Sequence, residues 1–87
     1  MSYNEGECMT GMKTFRVLEV REWQLGFQTF FVASDGESWV CNAQYPPQVN
    51  SEIVIPSGFG RPMFETYYEV IGRVPPPTAA IIKGLFA

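Results

Sequence analysis

The chain has 87 residues, 46% of them hydrophobic and 15% aromatic, and a formal net charge of −3. That length makes one domain with a modest core, and the apolar content excludes a disordered chain. The acidic balance argues against binding nucleic acid by bulk charge, although a local basic patch remains open.

There is no histidine, so the usual general base, proton shuttle and metal ligand is absent. Two cysteines, Cys8 and Cys41, make no zinc site by themselves. They read as free thiols, Cys8 in a polar tail and Cys41 as a small core residue. No stretch approaches the 18 or so apolar residues of a membrane span. The start MSYNEGECMTGMK lacks the basic and apolar regions of a signal peptide. The expected location is the cytoplasm, that of a host cell if the protein is viral, with no membrane partner.

Residues 1–12 are polar and glycine-containing and read as a flexible leader. A β domain is expected over 13–74. Its first strand is TFRVLEVREW, 14–23. Neither of its faces is cleanly apolar, and a bulge near Val17-Leu18 reconciles them. The stretch GFQTFFVASDGESWVCNAQYPP, 26–47, reads as a β-hairpin turning at Asp35-Gly36, because a two-residue type I′ loop needs positive φ at both positions. That loop pairs Val32 with Trp39 and Phe31 with Val40. Period-two alternation then assigns Phe30, Val32, Trp39, Cys41, Ala43 and Tyr45 to the core, and leaves Phe31 on the open face beside Thr29, Asn42 and Gln44. A longer loop would shift the register by one and exchange the faces.

EIVI, 52–55, is a short β-branched strand ended by Pro56. Ser57–Pro62 reads as a loop with one aromatic and one arginine between glycines. The last strand is expected over 64–74. Residues 75–87 form a stiff PPP spacer and an apolar tail, in which Thr78 caps a short helix from Ala79 to Lys83 stopped by Gly84. Such a helix is too short to stand alone, so the tail must dock on its own barrel, a second copy or another protein. Five short strands and little helix mean an all-β fold: a small antiparallel barrel, OB-fold-like or alternatively SH3-like.

No catalytic set is visible, since GFGRP lacks the spacing of a dinucleotide or Walker loop. The expectation is a non-catalytic binding protein with no cofactor and no metal. Single-stranded nucleic acid is held by aromatic platforms with a few cations. Phe31, Phe59 and Tyr67 with Arg61 could form such a platform, and Arg16, Arg21 and Arg73 its edge. That requires these arginines to share a face with exposed aromatics. Equally, the aromatics of a small barrel are core, and the arginines alternate with Glu19, Glu22 and Glu69 as in an ordinary charged ladder.

Three features, spanning residues 13–75, bear on family: the aromatic hairpin FQTFFVASDGESWVCNAQYP, the IVIPSG stretch and the late strand YYEVIGRVP. In a chain of this length the layout resembles that of the small OB-fold single-stranded-DNA-binding proteins of filamentous phages. The resemblance implies coating of single strands by a homodimer, with base-stacking roles for Phe31, Phe59 and Tyr67. The alternative is an acidic protein-interaction module, such as a phage or mobile-element accessory protein. Its acidity would suit a basic partner, and Ile81, Ile82, Leu85 and Phe86 would be the docking residues of the tail.

Overall fold

The structure is a computed structural model and describes residues 11–87. Cys8 and most of the expected leader lie outside the described residues, while Gly11 and Met12 open the first strand. The elements in order are β1 (Gly11–Trp23), β2 (Gly26–Ala33), β3 (Ser38–Ala43), β4 (Glu52–Gly58), β5 (Arg61–Pro62), a 3₁₀ turn (Phe64–Thr66), β6 (Glu69–Val74) and α1 (Ala79–Leu85). The strands form one antiparallel sheet in the order β5-β4-β1-β2-β3-β6, curled into a half-barrel, with one short C-terminal helix.

The first strand is long enough to serve two neighbours because it bends. Leu18 is an extra residue between the pairs Val17↔Phe31 and Glu19↔Phe30. This is the expected bulge, and it moves the apolar positions from Phe15 and Val17 to Val20 without changing the buried face. Phe15 and Val17 are fully buried, and Val20 packs against the same cluster.

The hairpin departs from the two-residue loop. Gly36 N–H donates to Ala33 O at 2.9 Å, and Ala33 N–H to Glu37 O at 2.9 Å. Gly36 takes φ +95°, whereas Asp35 is absent from the residues with positive φ. The loop is therefore three residues, a turn over Ala33–Gly36 with the glycine as bulge. Asp35 turns the chain in another way, its Oδ1 accepting from the Glu37 amide at 3.0 Å. The added loop residue slips β2 by one against β3, pairing Phe31 with Trp39 and Phe30 with Val40. The inner face of β2 is thus Thr29, Phe31 and Ala33, and Phe30 and Val32 lie on the outer face. Trp39 and Cys41 occupy the core as expected. Tyr45 does not: it follows the end of β3 and is exposed.

A sixth strand arises because β4 runs through Pro56 to Gly58. Pro56 sits opposite Met12, and its carbonyl points off the other side, accepting from Met63 N–H at 2.7 Å. Its missing N–H therefore takes no bond from the β1 ladder. The chain then turns at Phe59-Gly60 and pairs Arg61 and Pro62 back onto β4.

The expected strand over 64–74 begins only at Glu69. Its first part is the 3₁₀ turn, which drops Phe64 into the concave side of the sheet. The Phe64 ring lies 4.8 Å from Phe15, 4.9 Å from Phe31 and 5.7 Å from Trp39, centroid to centroid. All four rings are buried, and Ile55, Val17, Ala33 and Cys41 complete the cluster. A half-barrel is open on one side, and Phe64 fills the opening.

The tail forms a helix from Ala79 that passes through Gly84 to Leu85. Thr78 caps it, Oγ1 accepting from Ile81 N–H at 3.4 Å, as its side chain suggests.

Candidate functional site

The residues expected to bind a strand do not converge. Phe31 is fully buried between Trp39, Phe64 and Tyr68. The one-residue slip of β2 removes it from any stacking surface. Phe59, on the β4–β5 turn, is 73% exposed and holds φ 54°. Tyr67, after the 3₁₀ turn, is 61% exposed.

The arginines are divided between faces and largely engaged. Arg16 and Arg21 lie opposite Val32 and Gln28, on the outer face of the sheet. Arg16 donates to Asn50 O at 2.9 Å and stands 5.9 Å over the Phe86 ring. Arg21 grips Glu19 at 2.7 and 3.3 Å and lies 5.0 Å over Phe30. Arg73 belongs to the inner side, 5.6 Å over Trp39 and 3.4 Å from Glu37. Arg61, on β5, makes a forked pair with Glu65 at 3.1 and 2.6 Å. Among the described residues, Glu22, Glu52 and Glu69 make no ion pair.

The turn end of the hairpin carries a charge network that the sequence did not reveal. The Glu37 carboxylate, 12% exposed, accepts from Lys13 Nζ, and from Trp39 Nε1 at 2.7 Å. Lys13 also donates to Asp35 at 2.8 Å. Burial alone would push the Glu37 carboxyl up, but Lys13, Trp39 and Arg73 outweigh it and hold it below its ordinary value. Lys13 and the Glu37 amide hold Asp35 low in the same way. The network ties β1 to the β2–β3 loop and to β6, so its role is to brace the core edge. Its only sequence trace is the alternation Asp35, Glu37, Trp39. The partner Lys13 is distant in the chain and found only through the β1–β2 register.

The tail rests on the outer face of its own sheet. A Cβ on Gly36 would lie 3.6 Å from Pro76 and 3.7 Å from Ile82 Cδ1. Ile82, Leu85 and Phe86 are half-buried there, and Ile81 is exposed.

At the opposite end of the sheet is a pocket of about 330 Å³, near the β1–β2 turn and the end of β3. Its walls are Trp23, Leu25, Asn42, Gln44 and Glu69, and Gly26 is part of its floor. Gly26 passes so near β3 that a Cβ would stand 2.8 Å from Ala43 O, so only glycine allows this approach. Asn42 is 8% exposed, and its Oδ1 is buried with no hydrogen-bond partner. No family model, curated protein or solved structure matches this chain. Its surfaces therefore carry the functional reading.

No group of three or more carboxylates and thiols gathers for a metal among the described residues. None of the described helices is long and apolar enough to cross a membrane. Cys41 is fully buried, and that burial, with Glu65 nearby, pushes its thiol up to about 12. It is packing material rather than a nucleophile.

Proposed function

We propose that this protein is a non-catalytic, acidic interaction module that docks on a basic protein surface. The observation that carries the reading is the state of its charges. Lys13, Arg21, Arg61 and Arg73 are each held by a carboxylate of the same chain, while Glu22, Glu52 and Glu69 are left without a described cation. Among the described residues only Arg16, bonded to Asn50 O, and the exposed Lys83 have no carboxylate partner, so a strand-binding protein would have to break those pairs to bring more than two cations to phosphates. A basic partner finds free carboxylates, with exposed aromatic and aliphatic side chains beside them for desolvated contact.

Single-strand binding is the second reading. It is favoured by the exposure of Phe59 and Tyr67 and by the pairing of β1 with both β2 and β4 and of β3 with the last strand, which suits a partly open OB-like barrel.

Titration with poly-L-arginine and with oligo(dT), followed by Trp and Tyr fluorescence at low and at physiological salt, separates the two. The expected result is a complex with the polycation that weakens with salt, and no response to oligo(dT) at low salt. Saturable quenching by oligo(dT) that weakens with salt would overturn the reading in favour of strand binding.

A further inference from the structure

The pocket at the β1–β2 turn end has a chemistry of its own. Trp23, 41% exposed, offers an indole face. Glu69 is paired with Asn42 in the β3–β6 ladder, so its carboxylate and the Asn42 amide stand side by side on one wall. Glu69 has no described counter-ion. Asn42 is more than nine-tenths buried and keeps an oxygen without a donor. A buried acceptor in that state costs free energy until a donor arrives. Three groups therefore ask for one visitor: a flat cation to lie on the indole, and several N–H donors to satisfy a carboxylate and an amide oxygen.

Resting on the docking reading above, we infer that this pocket receives an arginine side chain of the basic partner. Guanidinium is planar, permanently charged and weakly hydrated, stacks on aromatic faces and presents five donors in a fixed fork. Its fork fits Glu69 in the bidentate manner, with a remaining donor for Asn42, and Leu25 lies against the aliphatic stem. Lysine fits less well because its ammonium offers a point charge and no plane. Guanine presents a donor edge to a carboxylate too, but its nucleotide brings a phosphate, and no Lys or Arg lines this pocket.

The test is a ¹⁵N-correlated NMR titration of the full chain with capped Gly-Arg-Gly, its citrulline counterpart and guanosine monophosphate. The arginine peptide should shift the Trp23 indole N–H and the amides of Asn42 and Glu69, saturating in the millimolar range. The neutral, nearly isosteric citrulline peptide should not. Glu69→Gln, an exposed and conservative change, should weaken arginine binding about tenfold. Trp23→Ala should weaken it about threefold or more. Equal shifts from the citrulline peptide, a stronger response to the nucleotide, or unchanged affinity in Glu69→Gln would each overturn the assignment. If the tripeptide leaves the pocket unshifted while poly-L-arginine still binds, the arginine pocket is refuted and the docking reading stands.

Discussion

Phe64→Ala is the most searching perturbation of this fold. Phe64 belongs to no strand, yet it is fully buried and touches three other core rings. Withdrawing such a side chain from its buried site forfeits about 1.5–3 kcal/mol of transfer free energy. The space left is walled by three strands that are hydrogen-bonded to one another and collapse only in part, so the total should reach about 3–5 kcal/mol. A domain of this size has about 4–13 kcal/mol in all, so the variant should sit near the edge of folding. At about 4 kcal/mol the melting temperature should fall by roughly 16–32 °C. Urea unfolding followed by tryptophan fluorescence measures the loss, with Phe59→Ala as the control. Phe59 is 73% exposed, and its truncation should cost no more than about 0.5 kcal/mol. If Phe64→Ala cost less than about 1 kcal/mol, or no more than the control, the sheet would be holding itself and the account of Phe64 as the closure would be refuted.

Two further outcomes follow from the charge network and the buried thiol. Glu37 and Asp35 have folded pKa values below their unfolded ones; their contribution is present at neutral pH and lost as pH falls through the lowered folded values. Glu37→Gln should cost about 1–2 kcal/mol at pH 7 and should flatten the acid limb of a stability–pH curve measured by urea titration; an unchanged slope would exclude the network as the source of acid sensitivity. In a Cys8→Ser background, Cys41 should be inert to a thiol reagent such as DTNB in native buffer and react fully in denaturant, and rapid reaction of the folded protein would contradict its burial.

Features written in local sequence were legible. The Leu18 bulge follows from two half-strands whose apolar phases differ by one. The Thr78 cap follows from a hydroxyl just ahead of an apolar run. The hairpin register was legible only as a pair of alternatives. Phe30 and Phe31 are both aromatic, and Val32 and Ala33 are both apolar, so alternation cannot choose which of each pair turns inward. The choice rests on whether Asp35 or only Gly36 takes positive φ, and a Lys13 partner from another strand helps to fix it. Phe64 reads as the start of the last strand in sequence, whereas its place is decided by an opening in the sheet that exists only once β1, β2 and β3 have assembled. The pocket is hidden for the same reason. Trp23, Asn42 and Glu69 come from three strands, and no spacing in the sequence brings them together.

Among the described residues, β4 has no strand on its outer side beyond the two residues that pair with β5. That leaves a short β-branched edge, Ile53–Ile55, able in principle to recruit another chain by strand addition. It is bounded by a charge at Glu52 and by a residue with no N–H at Pro56, the two devices that interrupt an aggregation-prone segment from its ends. Pro56, which looks like a strand terminator, is then a gatekeeper lodged within a strand. Exchanging it for valine would leave the β1 ladder intact and extend the unbroken β-branched run by one residue.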